Sequence, residues 1–243
     1  MTYCVGLLLN EGMVCLSDTR TNAGLDNIST YRKMFHFEDP GERVITIMTA
    51  GSLSVTQTTL ARLREAIDDP DASEVTSIMK APTMLNVASI IGKMLCEVRL
   101  EIDEKLSTMK QAASASMIVA GQRRGGAMRL FLIYPEGNFI EATEDTPFLQ
   151  IGEHKYGKPI LDRVVKPDTP LADAEKAVLL SMDSTLRSNL SVGMPLDLAV
   201  IRRDECKVGR QRRIEAGDPA FRAMSEAWSK ALRDGFTQIM LGA

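Results

Sequence analysis

The second residue of the chain is a threonine, in the opening Met1-Thr2-Tyr3-Cys4-Val5-Gly6. Threonine is small enough for an initiator methionine to be removed in front of it. Thr2 would then carry a hydroxyl and a free α-amine of pKa about 7.7–8.0 on one residue. A threonine hydroxyl is unreactive without a base beside it, and that amine supplies one near neutral pH. A Met-Thr opening alone says little, because many proteins begin this way. Here residues 3–9 are apolar and break at Asn10-Glu11-Gly12, which reads as a buried strand entering a hairpin. A terminus tied into a sheet does not fray as chain ends commonly do. Fixing it holds the amine and hydroxyl in the geometry that proximity catalysis requires.

Two charges extend this picture. Asp18 stands at the end of the second hairpin strand, and Lys33 comes just before Phe35 and Phe37. If the hairpin brings Asp18 beside Thr2, an Asp18–Lys33 pair lies beneath the nucleophile. An ammonium there favours the ionised hydroxyl and helps keep the amine neutral, while the carboxylate offsets its burial. Taken singly, Asp18 reads first as a turn residue and Lys33 as a surface charge.

The elements that must position these groups are legible as periodicities. Short strands are expected at 3–9, 13–17 and 44–49, the last ending at Ala50-Gly51. Helices are expected at 54–67 and at about 85–109, the second carrying an apolar stripe from Val87 to Leu106. Strands resume at 116–120, 128–134 and 138–142, joined by Gly- and Pro-containing turns. Helices follow at about 157–164 and 172–187, then strands at 196–202 and 208–214, then a tail helix at 219–236. Two helix pairs can cover the outer faces of two stacked antiparallel sheets. The expected class is therefore α+β, a four-layer αββα sandwich of two antiparallel sheets flanked by helix pairs. No linker, repeat or low-complexity tract divides the chain, so residues 1–243 read as one domain with a helical extension from about 216.

Composition excludes several functions. The 243 residues are 44% hydrophobic and 25% charged, which suits a globular protein with a sizeable core. Twenty-nine basic against 32 acidic residues give a net charge of -3, against the basic surplus a nucleic-acid binder needs. Cys4, Cys15, Cys96 and Cys206 form no CxxC pair and fit no zinc spacing, and His36 and His154 are the only histidines. No metal, cofactor or nucleic acid is expected. The apolar opening lacks a basic n-region, and no apolar run is long enough for a membrane span, so a cytoplasmic location without membrane attachment is expected. Residues 152–158 fit GxxxxGK, but Pro159 stands where a nucleotide-binding loop needs a Ser or Thr hydroxyl, and the surrounding strands form a meander.

Together, Thr2, the segment Ser-Asp-Thr-Arg-Thr-Asn-Ala-Gly at 17–24, Lys33 and Thr49-Ala50-Gly51 resemble proteasome β subunits and their bacterial relatives. The likeness is nearest to the bacterial Anbu (ancestral β subunit) group, within the N-terminal-nucleophile hydrolases. It runs through Ile118-Val119-Ala120-Gly121 and Ile151-Gly152 and weakens after about Asp204. The resemblance implies a threonine-type peptidase or amidohydrolase with Thr2 as nucleophile, its amine as base, and Asp18 and Lys33 as the supporting pair. It implies a Gly51 N–H aimed at the oxyanion and substrate docking by backbone hydrogen bonds at Thr21 and Asn22. It also implies self-association into a homo-oligomeric ring or open spiral, with a peptide or amide as substrate.

Two departures accompany it. Gly152-Glu153-His154 stands where the family usually has Gly-Ser-Gly, and the family's later Asp-x-x-Ser is best matched by Ser188-Asn189-Leu190-Ser191, without its aspartate. Ser188 and Ser191 are carried as site candidates on that match. Because those supports organise the amine, the alternative reading is a weakly active or inactive scaffold or binding protein that keeps the fold.

Overall fold

A computed structural model of the protein describes residues 2–22, 28–106 and 113–239. The apolar opening forms β1 (Tyr3–Leu8), which turns through Asn10-Glu11 into β2 (Gly12–Asp18). The two pair antiparallel from Cys4 opposite Ser17 to Leu8 opposite Met13. A small ladder of β3 (Arg20–Asn22) and β4 (Ile28–Thr30) follows. Then come β5 (Met34–Asp39), β6 (Arg43–Gly51), α1 (Leu53–Asp68) and α2 (Met84–Leu106). The meander is β7 (Ala115–Arg123), β8 (Arg129–Ile133) and β9 (Phe139–Glu141), with β10 (Phe148–Gly152) after it. Helices α3 (Lys158–Val164) and α4 (Leu171–Ser188), strands β11 (Leu196–Arg202) and β12 (Arg210–Ile214), and α5 (Pro219–Gln238) complete the order.

One five-stranded sheet runs β10-β1-β2-β11-β12 and the other β5-β6-β7-β8-β9. The sandwich can be read from side-chain alternation, since successive residues of a strand face opposite sides. In β1, Tyr3, Val5 and Leu7 join a core with Leu161 of α3 and Ala174, Val178 and Met182 of α4. Cys4, between them, joins a second core with Met48, Ile118 and Leu130 of the other sheet. In β6, Ile45 and Ile47 face a third core with Val55 and Leu63 of α1 and Val87, Ile91 and Leu95 of α2. Three apolar layers between four layers of structure give the expected αββα sandwich of antiparallel sheets. The tail helix α5 sits lightly on this body. Phe221 packs against the first core, Arg187 Nη2 donates to Ser225 Oγ at 2.7 Å, and Leu232 and Phe236 remain exposed.

The expected elements recur with ends moved by a few residues. The part of the second expected helix at 107–109 lies outside the described residues. Strands β3, β4, β5 and β10 go beyond the sequence reading. Strand β5 alternates correctly, Met34 facing the layer between the sheets and Phe35 and Phe37 facing α1 and α2, but His36, Glu38 and Asp39 dilute its apolar signal. Strand β10 has only five residues and follows Pro147.

The helical layer crosses the β8–β9 turn through backbone contact. A Cβ on Gly92 of α2 would lie 2.1 Å from the Gly137 carbonyl oxygen. Gly92→Ala is expected to cost about 1–3 kcal/mol by overpacking, read as a lower urea midpoint with an unchanged m-value. Gly235→Ala in α5, where a Cβ meets nothing within 4 Å, is expected instead to add up to about 1 kcal/mol from helix propensity.

Candidate active site

The hairpin delivers Asp18 to the start of β1. Tyr3 N–H donates to Asp18 Oδ1 at 3.1 Å, and the Lys33 ammonium donates to the same oxygen at 2.7 Å. Gly193 N–H donates to Oδ2 at 3.3 Å. Lys33 Nζ also donates to the Arg20 carbonyl at 2.6 Å. Asp18 is 0% exposed and Lys33 5%, so both charges have left bulk water and depend on these partners. Burial pushes the Asp18 carboxyl up, while the Lys33 charge and hydrogen bond and the Tyr3 and Gly193 N–H groups draw it back.

Thr2 is itself buried, at 7% exposure. Its carbonyl accepts a hydrogen bond of 2.7 Å from Glu153 N–H, just past the end of β10. Tyr3 pairs with Gly152, whose φ of +81° is a conformation glycine takes freely. A Cβ there would lie 1.9 Å from the Thr2 carbonyl oxygen. The Tyr3 side chain points the other way, into the helical core. Its hydroxyl is bonded to Ser181 Oγ of α4 and accepts from Gln150 Nε2 at 2.6 Å. Burial holds that phenol protonated, with its pKa pushed up to about 12. Residues 2 and 3 are thus held through the carbonyl of one, the N–H of the next and a buried ring.

Gly51 closes β6 with φ +105°. Thr49 N–H donates to the Lys33 carbonyl at 2.9 Å, and Ser52 N–H donates to the Ser114 carbonyl, on the opposite edge, at 2.8 Å. Ladder alternation therefore turns the Gly51 N–H to the same edge as that of Thr49. Strand β5 begins only at Met34, so the Gly51 N–H lies past its end, two residues beyond the Thr49 N–H that meets the Lys33 carbonyl.

The remaining candidates divide. Thr21 stands opposite Ser29 in the β3–β4 ladder, and Asn22 is placed opposite Ile28. Ser188 is the last residue of α4 and is exposed. The Ser191 N–H bonds to Asn189 Oδ1 at 2.9 Å, in a loop whose Leu190 carbonyl takes Arg20 Nη1 at 2.8 Å. That loop reaches Asp18 through the Gly193 backbone and not through a serine hydroxyl. Gly193 and Arg20 escaped the sequence reading because only tertiary packing pairs them. A Cβ on Gly193 would lie 2.1 Å from Arg20 Nε, a constraint with no local signature.

Two cavities flank the β6 edge. One, of about 570 Å³, lies between the ends of β6 and β7 and strand β10, lined by Gly51, Ser116, Tyr134, Gln150, Gly152 and His154 among others. The other, of about 360 Å³, lies on the Lys33 side, lined by Tyr31, Arg32, Phe35, Thr49 and a face of α1.

The buried pair gives a stability prediction. Lys33→Met leaves the Asp18 carboxylate without its cation and should cost about 3–5 kcal/mol, whereas Asp18→Asn combined with Lys33→Met should cost less than the sum of the single changes. Urea unfolding of the three variants measures this coupling.

Comparison with known proteins agrees with this geometry. The family model described as "Proteasome subunit" matches residues 2–201. No curated protein matches the chain. Among solved structures, a Gly-1 mutant of Anbu from Hyphomicrobium sp. strain MC1 is 49% identical with a TM-score of 0.93, over 100% of both chains. Anbu from Yersinia bercovieri is 43% identical with a TM-score of 0.90, over 99% of both chains. The helical assembly of the Anbu complex from Pseudomonas aeruginosa is 43% identical with a TM-score of 0.93, over 99% of this chain and 98% of that one. With the match covering most of its length, the chain belongs to the proteasome subunit family, in its Anbu (ancestral β-subunit) group.

Proposed function

We propose that the protein is an N-terminal-nucleophile peptidase or amidohydrolase, with Thr2 as the acting residue once Met1 is removed. The observation that carries this reading is the convergence of the Tyr3 N–H and the Lys33 ammonium on one oxygen of buried Asp18. It ties the backbone next to Thr2 to the carboxylate that holds the Lys33 cation, which supports a cation close to the hydroxyl.

In the reaction, the Thr2 hydroxyl gives its proton to the neutral α-amine as its oxygen bonds to the substrate carbonyl carbon. The charge that builds on the carbonyl oxygen is met by the Gly51 N–H. Collapse breaks the C–N bond, and the leaving amine takes the proton back from the α-ammonium. Water then loses a proton to the amine and attacks the resulting ester, which releases the acid and restores Thr2. Lys33 lowers the pKa of the amine and of the hydroxyl by proximity of like charge to the ammonium and of opposite charge to the alkoxide. The extended strand at Thr21 and Asn22 offers a substrate backbone its hydrogen bonds.

Self-association belongs to the same reading. A 43%-identical relative forms a helical assembly, and here α5 leaves Leu232, Phe236 and Ile239 exposed. A ring or open spiral is the expected form, and sedimentation should show species larger than one chain.

The test begins with protein whose intact mass shows Thr2 as its first residue. Incubation with a peptide epoxyketone should add one inhibitor mass to Thr2, and peptide hydrolysis should be lost in Thr2→Ala and kept in part in Thr2→Ser. Lys33→Ala should lower kcat by roughly 10²-fold or more, the scale of a lost acid–base partner. Activity should fall as pH drops, with a midpoint below the ordinary amine value of about 7.7, because the amine must be neutral and Lys33 disfavours its protonation. Full hydrolysis by Thr2→Ala would reject the mechanism. A processed protein that neither reacts nor hydrolyses would support the scaffold reading, to which Glu153 and Ser188 at the family's Ser and Asp positions point.

A further inference from the structure

The cavity on the Lys33 side holds two arginines and no acid among the described residues. Its wall on α1 is formed by Leu53, Thr56, Gln57, Leu60 and Arg64, a spacing that places them on one face of the helix. Opposite stand Tyr31, Arg32, Phe35 and Thr49. Position relative to the chemistry follows from the chain. Arg32 precedes Lys33, Thr49 donates its N–H to the Lys33 carbonyl, and Leu53 comes two residues after Gly51. The residue before Lys33 and the second residue after Gly51 thus both line this cavity, while Gly51 itself lines the neighbouring one.

The charges in it are uncommitted. Among the described residues, neither Arg32 nor Arg64 has a salt-bridge partner, whereas Arg62, two residues from Arg64 on α1, is held by Glu101 through bonds of 2.8 and 2.6 Å. Arg43 is likewise spent on the carbonyls of Ile78 and Ala81. The Arg64 guanidinium lies 5.5 Å from the centroid of the Phe35 ring, which also lines the cavity. Stacking on an aromatic face holds the planar group in place and leaves its N–H edge free for a carboxylate. Long helical side chains lean toward the helix N-terminus, and for Arg64 that direction leads to Leu60 and the cavity. Leu53, Leu60 and Phe35 offer apolar walls to the methylenes of a side chain, and the guanidinium groups offer a charged end.

We propose that this cavity receives the side chain of the residue that supplies the scissile carbonyl, that the side chain is acidic, with glutamate fitting better than aspartate, and that Arg32 and Arg64 determine the choice. The proposal rests on the peptidase reading above. A guanidinium pairs with a carboxylate in a bidentate fork, which an uncharged amide of the same shape cannot match.

The test compares peptides that differ only in that residue: glutamate, glutamine, leucine or arginine. With processed protein, kcat/KM for glutamate should exceed that for glutamine by roughly tenfold or more, the scale of charge-assisted pairing at a partly exposed site. The advantage should shrink as salt is raised. Arg64→Glu and Arg32→Glu should each reduce it, and together they should transfer the preference to arginine. A second measurement separates the proposal from the mechanism. Dye-labelled peptides ending in glutamate or glutamine are titrated against Thr2→Ala protein, which has no nucleophile. Tighter binding of the glutamate peptide, lost in Thr2→Ala combined with Arg64→Glu, upholds the pocket assignment even if hydrolysis fails in every assay. Equal affinity for the two peptides, or a preference untouched by Arg64→Glu and Arg32→Glu, overturns it even if Thr2 proves to be the nucleophile.

Discussion

A single carboxylate, buried at the end of a hairpin strand, is the point on which the rest of the site depends. Asp18 has no contact with solvent, and its two oxygens are shared among an ammonium and two backbone N–H groups. A carboxylate in that position is costly unless each of those donors stays in place. The cost therefore works as a constraint: it holds the loop at Gly193, the start of β1 and the Lys33 side chain in one relative arrangement. Arg20 extends the constraint, because its carbonyl takes a second bond from Lys33 while its guanidinium holds the Leu190 carbonyl. Charge burial here secures geometry that apolar packing alone would leave looser.

The opposite side of Thr2 is fixed by shape. Gly152 and the Glu153 N–H clamp the Thr2 carbonyl, and the Tyr3 hydroxyl anchors the strand to α4 through Ser181 and to β10 through Gln150. Gly157 lies close behind that ring, where a Cβ would be 2.6 Å from the Tyr3 hydroxyl oxygen. An N-terminal residue held from both sides loses the freedom that chain ends ordinarily keep. Under the proposed mechanism that loss is part of what proximity catalysis requires, since the proposed base and nucleophile are both on the residue being immobilised.

How much of this was legible in the sequence depended on how local each signal was. The hairpin was legible because Val5, Leu7, Val14 and Leu16 are buried on one face and the turn residues are polar. Helices α1, α2 and α4 were legible because each carries an apolar stripe on one face. Asp18 and Lys33 were found as separate charges, and only the β2 register and the entry into β5 bring them to 2.7 Å. Strand β5 was missed because His36, Glu38 and Asp39 stand among its apolar residues, and β10 because five residues give too short a period to register. The serines at 188 and 191 were chosen by likeness to a motif, whereas the contact that reaches Asp18 comes from Gly193, whose backbone role leaves no mark on residue type. Non-local pairing of loops with strands is the information a one-dimensional pattern lacks.

Gly51 shows why chemistry and folding are hard to separate at such a site. Its positive φ ends β6, and a Cβ would lie 2.3 Å from the Ser114 carbonyl oxygen. Ser114 in turn takes the Ser52 N–H just before α1 begins. The same turn that starts the helix leaves the Gly51 N–H beyond the end of β5, facing the edge where Lys33 lies. Residue type at 51 is thus dictated by steric room before any reaction is considered. Helix α1 then carries Leu53, Leu60 and Arg64 along the cavity from that same starting point. Gly51 and the cavity wall are therefore coupled by one rigid element: a change in the strand-to-helix turn would displace both together, while a change at Arg64, three turns along, alters the cavity and leaves the turn in place.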